Sequence, residues 1–474
     1  MSLRAVFPRP FWRGDGGARE VLILAYPLIL SQMSFTIQVF ADRLFLTWYS
    51  AEAVAGAVTA LFVVWAVIGL CIGTGEYATT FIAQYLGAGR PERIGAAIWQ
   101  GIYFAAAAGL VIAALQPLAE PVFAMAGHAE ELRVEEVVYA KILLAGGFPI
   151  VLMATLASFF AGRGQTLVIL VVNVLATVVN AVFDYLWIFG RGGFPRMGVA
   201  GAAYATVLSQ CFGAAVYLGV ILRSEHRRRY GTLSGWRFEP ALFGRLLRFG
   251  LPAGLQFSME ILAFAIFMII VGRLGTAPLA ASGIAFNLNM IVFMPMLGFG
   301  LAVSSLVGRY LGAERPDVAE RVTWSALWTC LGYMLACCAL YVSAPDFLLA
   351  PYASGVEGHS FDEVARIAGV LLKFVAFYSL FDMMNVIFAS ALRGAGDTTY
   401  PVAATVALAW GVMLVPTYVL CVMLGTGGVY TAWTAATAYV FCVGLLMFRR
   451  FRRGYWRSMR VIEPRVPDLD AATA

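Results

Sequence analysis

The sequence predicts an all-α membrane protein with twelve transmembrane helices, arranged as two related six-helix lobes. The first observation is composition: 61% of the 474 residues are hydrophobic and 13% are charged, against about 45–50% and about 25% in soluble domains. The second is that the apolar residues fall in blocks of about 20 or more, a length that crosses a bilayer as a helix. The third is an internal repeat, which predicts the two lobes.

Twelve apolar blocks are long enough to cross a membrane. The predicted spans are residues 20–46, 54–84, 94–116, 134–158, 166–189, 199–222, 246–271, 280–308, 320–343, 364–391, 400–424 and 428–448. The side of the membrane that would hold both termini then carries 25 of the 33 Lys and Arg residues. Because cytoplasmic loops carry the excess of Lys and Arg, we expect a multi-pass inner-membrane protein with both termini in the cytoplasm.

The repeat is clearest in a short loop sequence. Tyr-Leu-Gly-Ala-Gly-Arg-Pro at 85–91 recurs as Tyr-Leu-Gly-Ala-Glu-Arg-Pro at 310–316, and Pro27 and Pro252 match at the same displacement of 225 residues. An even number of helices in each half makes the two lobes parallel, related by an axis along the membrane normal. The predicted organisation is a cytoplasmic segment 1–19, a first lobe 20–222, a cytoplasmic linker 223–245, a second lobe 246–448 and a basic cytoplasmic tail 449–474.

The candidate functional residues are acidic side chains inside apolar blocks. An ionisable group in a membrane span is costly and by default marks a transport path or a coupling site. Asn180 and Tyr378 each precede one of these acids by four residues and so share its helix face. Two carboxylates in a low-dielectric site cannot both stay ionised cheaply, so they bind a proton or a cation such as Na⁺, and the spacing leaves both open. The acids are Asp42, Asp184, Glu260 and Asp382.

Several functional classes are disfavoured. The sequence contains no phosphate-binding loop, zinc-protease motif or nucleophile elbow, so we expect no enzymatic activity and no cofactor. The seven cysteines lie inside apolar blocks and the three histidines lie in separate loops, which predicts neither a disulfide framework nor a His-based metal site. The basic run at 227–229 is typical of a loop that faces lipid head groups rather than nucleic acid.

In this order, the motifs resemble those of the multidrug and toxic compound extrusion (MATE) family, most closely its bacterial NorM-type branch, from about residue 20 to residue 450. They are Pro27 with Asp42, the two Tyr-Leu-Gly-Ala-x-Arg-Pro loops, Asn180-x-x-x-Asp184, Pro252 with Glu260, and Tyr378-x-x-x-Asp382 ahead of Leu392-Arg393-Gly394-x-Gly396-Asp397. The resemblance implies a cavity open alternately to each side of the membrane. It also implies secondary active export of organic, often cationic and amphipathic compounds in exchange for H⁺ or Na⁺.

Site roles follow from the same resemblance. It implies ion coupling at Asp42, Asn180 and Asp184 in the first lobe and at Glu260 and Asp382 in the second, with Na⁺ binding at the second pair as one alternative. It places Tyr378 and Tyr139 at the substrate cavity and helix bending at Pro27. The expected partners are small organic substrates, H⁺ or Na⁺ and membrane lipid, with no nucleic acid, and we expect a monomer. The alternative is a flippase for lipid-linked precursors, although such proteins tend to have cationic cavities and the intramembrane charges here are acidic.

Overall fold

The computed structural model describes residues 11–125, 127–353 and 360–464. Within these ranges every regular element is helical. Residues 1–10 of the predicted N-terminal segment and 465–474 of the predicted tail lie outside the described residues.

The first lobe consists of six spanning helices, which we number in chain order. They are α1 (Ala18–Tyr49), α2 (Ala51–Gly87), α3 (Arg93–Met125), α4 (Glu130–Ala145 and Gly147–Ala161), α5 (Thr166–Phe189) and α6 (Val199–Ile221). A short helix, Ser224–Tyr230, follows them.

The second lobe repeats the arrangement. Its helices are α7 (Pro240–Gly272), α8 (Thr276–Gly312), α9 (Pro316–Ser343), α10 (Ser360–Ala395), α11 (Thr399–Met423) and α12 (Val429–Arg452). A short helix, Pro345–Ala353, lies between α9 and α10.

The predicted fold class is confirmed. Eleven helices of the described chain are long and apolar enough to cross a membrane, and α4 makes twelve when its two halves, bent by 51°, count as one span. The helix α7 begins at Pro240, inside the segment predicted as linker. Proline is favoured in the first turn of a helix, where its missing N–H has no partner to lose. A search for apolar blocks does not detect this start, because Arg245 and Arg248 follow within the first three turns.

Several of the spanning helices contain prolines. Pro27 lies in α1, Pro252 in α7 and Pro295 in α8. Each removes one backbone hydrogen bond and permits a bend. Pro416 lies in α11 between two π-helical turns, 409–414 and 419–423, a local widening that accommodates a missing hydrogen bond.

The two lobes meet along α1 with α8 and along α2 with α7 and α8. We call the side that holds the start of α1 and the end of α12 the terminal side, and the opposite one the far side. A Cβ atom added to Gly73 of α2 would lie 2.8 Å from the Cα atom of Gly254 of α7. Nearer the terminal side, a Cβ on Gly87 would lie 1.9 Å from the backbone oxygen of Arg309. Glycine therefore lets the helix backbones of the two lobes touch on the terminal side.

Candidate functional site

The first cluster of acids lies between α1 and α5. These helices run in the same direction and pack against each other along the first lobe. Asp42 of α1 and Asp184 of α5 are both buried, and their carboxyl groups are adjacent. The amide nitrogen of Asn180, oriented to satisfy both, donates to Asp42 Oδ1 at 2.8 Å and to Asp184 Oδ2 at 3.3 Å. One neutral donor thus joins two carboxylates.

Two further residues close this cluster. Thr206 of α6 lies 3.5 Å from the side-chain amide of Asn180. Tyr139 of α4 is buried within electrostatic range of Asp42 and Asp184, so it lies with the first-lobe acids. The second oxygen of Asp184, Oδ1, is buried and has no hydrogen-bond partner among the described residues. It is therefore available to a proton or a cation.

A row of polar contacts continues from this cluster toward the terminal side, between the same two helices. Thr177 lies 3.4 Å from the backbone oxygen of Ser34, and one turn further Asn173 donates to the hydroxyl of Ser31 at 2.5 Å. The sequence analysis missed this row. A spacing of three to four residues between small polar side chains in α1 and α5 is the signal that could have revealed it.

The second cluster lies between α7 and α10, with α12 beside it. Asp382 of α10 is within electrostatic range of Glu260 of α7. Gln256, one turn before Glu260, donates to its Oε1 atom at 3.0 Å. The hydroxyl of Tyr378 is buried and has no hydrogen-bond partner among the described residues. The second lobe thus holds two carboxylates beside an unpaired donor.

Three side chains of the second cluster were missed by the sequence analysis, namely Gln256, Asn385 and Tyr439. Asn385 lies three residues after Asp382 and hydrogen bonds to it. Tyr439 of α12 is buried within electrostatic range of both acids. A turn-spaced polar partner is visible in a sequence, but a contact from α12 depends on how the lobe packs.

The two clusters lie at different depths. At a rise of about 1.5 Å per residue, Asp42 is about 10 Å before the end of α1, and Asp184 is about 8 Å before the end of α5. Both lie near the far side. Glu260 is about 18 Å before the end of α7, which is on the far side, and Asp382 is about 20 Å before the end of α10, which is on the terminal side. The second cluster therefore lies near the middle of the span.

Glu76, a fifth acidic residue in an apolar block, belongs to neither cluster. It ends the first part of α2, where the helix breaks before Ala78. The next residue, Tyr77, donates its hydroxyl to the backbone oxygen of Arg393 of the second lobe at 3.0 Å. This break therefore lies at the contact between the lobes.

The donor sets restrict the ions that the clusters could bind. The described residues contain no group of three or more His, Cys, Asp or Glu side chains that could hold a metal ion. Each cluster instead offers two carboxylates with neutral amide and hydroxyl oxygens. Such a set suits a proton or a hard cation with oxygen ligands, and not a transition metal.

Comparison with known families identifies the chain. The MatE family model matches it twice, over residues 27–186 and 252–419, which together exceed half of its length. The chain belongs to the MatE family. The two matches begin at Pro27 and Pro252, the residues that the internal repeat aligns. The family prediction made from the sequence motifs is therefore confirmed.

Individual MatE proteins resemble this one along nearly its whole length. A Thermotoga maritima protein named probable multidrug resistance protein NorM is 28% identical over 458 residues, with 95% of this chain and 96% of the relative covered. A Rhizobium meliloti protein of the same name is 27% identical over 436 residues, with 92% and 93% covered.

Solved structures share the fold. A transporter of the MOP superfamily from Pyrococcus furiosus superposes with a TM-score of 0.84 at 21% identity, covering 96% of this chain and 99% of the other. A structure described as the outward-facing conformation of a MATE family transporter gives a TM-score of 0.84 at 20% identity, with the same coverage. The two-lobe architecture is that of MatE transporters.

Proposed function

We propose that this MatE protein is an ion-coupled antiporter that exports organic, cationic and amphipathic compounds in exchange for H⁺ or Na⁺. The observation that carries this proposal is the first-lobe cluster, in which Asn180 joins the buried carboxyl groups of Asp42 and Asp184. Adjacent carboxylates in a low-dielectric site repel each other unless a proton or a cation neutralises one charge. Binding and release of that ion change the local charge by one unit, which is what coupling to an ion gradient requires.

The cationic substrate is inferred from the second cluster. Glu260 and Asp382 place negative charge near the middle of the span, and aromatic rings surround them. The ring centroids of Tyr378 and Trp433 are 6.3 Å apart, and those of Phe264 and Tyr439 are 6.4 Å apart. Acidic groups and aromatic faces together favour organic cations. The names of the relatives, which refer to multidrug resistance, are consistent with such substrates.

We further propose that the terminal side is the cytoplasmic side of the inner membrane, because it carries the excess of Lys and Arg. The glycine contacts between the lobes then close the protein toward the cytoplasm. In this arrangement the two lobes rock, in a monomer, about the segment 223–239 that precedes α7. Pro27 bends α1 when the charge on Asp42 changes, and this bend transmits ion binding to the substrate cavity.

Transport by purified protein tests the proposal. Ethidium efflux from proteoliposomes is measured under an imposed pH gradient and then under an imposed Na⁺ gradient. We expect efflux under one of them. In that condition Asp42→Asn, Glu260→Gln and Asp382→Asn should each lower the rate by about tenfold or more, the order expected for loss of an interaction with a charged group.

A buried carboxylate outside both clusters provides the matched control. Glu136 of α4 is fully buried, and its Oε1 atom lies 2.8 Å from Nδ1 of His128, so Glu136→Gln should retain efflux. If the three cluster variants all transported like the parent, the coupling role of the acids would be wrong. If folded protein moved ethidium under neither gradient but moved a fluorescent lipid-linked precursor, the flippase alternative would replace the antiporter.

A further inference from the structure

The repeated loops, residues 85–91 and 310–316, close the terminal ends of α2 and α8 with the same turn. In each loop the N–H group of the sixth residue donates to the carbonyl oxygen of the first, at 2.9 Å and 2.8 Å. The residue between them in the left-handed region is Gly89 in the first loop and Glu314 in the second. This is a Schellman-type helix ending. Glu314 is the one non-glycine residue of the described chain with positive φ, so the turn is retained even where its backbone is strained.

The shared turn brings a tyrosine and an arginine together in each loop. The guanidinium carbon of Arg90 lies 5.5 Å from the ring centroid of Tyr85. The corresponding distance from Arg315 to Tyr310 is 5.6 Å. Each loop therefore presents a hydroxyl group and a guanidinium group side by side, a donor pair that suits a carboxylate.

In the first loop the carboxylate belongs to Glu463, which lies after α12. The hydroxyl of Tyr85 donates to its Oε2 atom at 2.8 Å, and Arg90 donates to its Oε1 atom at 2.6 Å. Arg90 also donates to the backbone oxygen of Glu463 at 3.2 Å. Both the side chain and the backbone of this residue are therefore held.

Two more arginines converge on the same carboxylate. Arg93 of α3 lies 3.4 Å from Oε1, and Arg245 of α7 donates to Oε2. These two residues belong to different lobes. The three arginine side chains and the Glu463 side chain are between 22% and 29% exposed, so water screens their charges less than those of a surface ion pair.

In the second loop the carboxylates come from the start of the chain. The hydroxyl of Tyr310 lies 2.9 Å from both oxygens of Glu20, and Arg315 donates to Asp15 at 2.8 Å. The pair of Arg315 and Asp15 is about half exposed. Exposed ion pairs stabilise little, so this site is the weaker of the two.

The two terminal segments cross between the lobes in opposite directions. Glu463 follows the last helix of the second lobe and binds a loop of the first, whereas Asp15 and Glu20 belong to the start of the first lobe and bind a loop of the second. The C-terminal segment is packed along its path: Trp456 stacks on Phe451 with ring centroids 4.8 Å apart. The N–H group of Val461 donates to Gln84 Oε1 at 2.9 Å.

We propose that the two repeated loops are carboxylate-binding sites whose ligands are the chain's own terminal segments, and that Glu463 locks the lobes together on the terminal side. The lobes separate there only after the C-terminal segment releases its carboxylate. Without Glu463, Arg93 keeps its ion pair with Glu239. Arg90 and Arg245, which come from opposite lobes, lose their shared counter-charge, and their repulsion opposes closure.

The lock keeps its charge at ordinary pH. Burial alone would raise the pKa of Glu463, but the hydrogen bonds from Arg245 and Tyr85 outweigh it and lower that pKa to about 2. Protonation is therefore not the release step. Movement of the segment after α12 must therefore break the contacts before the lobes separate.

Hydrogen–deuterium exchange of the full-length protein in lipid nanodiscs tests this proposal. In Glu463→Gln the backbone amides of residues 84–93 and 309–316 should exchange about tenfold faster or more, the order expected when a charged hydrogen-bond partner is lost. The matched control is Glu320→Gln. Glu320 pairs with Arg457 of the same C-terminal segment, but it lies in α9 of the same lobe, so its loss should leave both loops unchanged.

Three results would overturn the proposal: unchanged exchange in Glu463→Gln, an equal increase in Glu320→Gln, or an increase confined to residues 453–464. The last would show that the segment detaches while the lobes stay together. If Glu463→Gln fails to purify as folded protein, Arg245→Gln removes one donor and leaves the hydrogen bonds from Tyr85 and Arg90. The same amides should then show a smaller increase. The readout is lobe separation, so it does not depend on transport activity.

Discussion

Replacing Gly87 with alanine should hold the lobes apart on the terminal side. Gly87 ends α2, and a Cβ atom at this position would lie 1.9 Å from the backbone oxygen of Arg309 and 2.8 Å from its carbonyl carbon. The obstructing atoms are backbone atoms of the other lobe, so no side-chain rotation relieves the clash. The ends of α2 and α8 must move apart instead.

The magnitude follows from contact distances. A carbon atom approaches a carbonyl oxygen to about 3.3 Å at closest, so the added methyl group requires a separation of about 1.4 Å. Overpacking of this kind costs about 1–3 kcal/mol. If the open state relieves the clash, this energy shifts the equilibrium away from closure on the terminal side by about 5- to 150-fold.

Hydrogen–deuterium exchange at residues 84–93 and 309–316 measures this shift. The control is Gly89→Ala, the same substitution two residues later in the same loop. A Cβ on Gly89 meets nothing within 4 Å, although the residue has φ +68°. Its cost is a local backbone strain of about 1–2 kcal/mol, which does not separate the lobes.

The predicted effect of Gly87→Ala is refuted if its backbone amides exchange like those of the parent protein while those of Gly89→Ala exchange faster. That result would mean that backbone strain in the loop, and not contact between the helix ends, controls closure. Gly312→Ala provides a second test from the opposite lobe, because its Cβ would lie 2.1 Å from the backbone oxygen of Gln84. The two variants should give similar shifts.

Three further predictions concern single groups. Asn180→Ala removes the hydrogen bonds to Asp42 and Asp184 and should lower ion-coupled efflux by about 10-fold or more, since one hydrogen bond to a charged group contributes about 1.5–3 kcal/mol. Thr206→Val should lower it much less; equal losses would contradict this. Tyr378→Phe should weaken ethidium binding without changing the melting temperature, because its hydroxyl has no partner among the described residues; a lower melting temperature would indicate a structural role. The stability difference between the parent and Glu463→Gln should stay constant near neutral pH and shrink only as the pH falls from 4.5 toward 2. A carboxyl group whose pKa is lowered by folding stabilises the folded state fully at any pH above its pKa in the unfolded chain. The disappearance of this difference near neutral pH would refute the ionised lock.

The sequence predicts the spanning helices well because bilayer thickness imposes length and hydrophobicity on each one. The errors lie where this constraint is absent. The start of α7 at Pro240 is followed by Arg245 and Arg248 within three turns, so it does not appear in an apolar block. The bend of α4 lies at Gly146, where the helix packs closely on α6: a Cβ there would lie 2.2 Å from Val207.

The candidate site was predictable in part. Asp42 and Asp184 are recognisable in the sequence because charge inside an apolar helix is rare, and Asn180 follows from its spacing. The contribution of Tyr439 depends on the position of α12 in the second lobe, which no local pattern encodes. The same limit applies to Glu463, an ordinary acidic residue in a polar tail until the fold places it among three arginines.

The internal repeat is visible in the glycine contacts between the lobes but not in the acidic clusters. At the displacement of 225 residues, Gly87 aligns with Gly312 and Gln84 with Arg309. A Cβ on Gly87 would meet the backbone oxygen of Arg309, and a Cβ on Gly312 would meet the backbone oxygen of Gln84. Two reciprocal contacts of this kind are what a two-fold axis through the interface produces, so the duplicated sequence makes the contact between the lobes self-complementary. The acids do not follow this rule: Arg43-Leu44 matches Arg273-Leu274, which aligns Asp42 with Gly272. Since Asp42 has no acidic counterpart at the equivalent place in the second lobe, duplication accounts for the glycine contacts between the lobes but not for the first cluster.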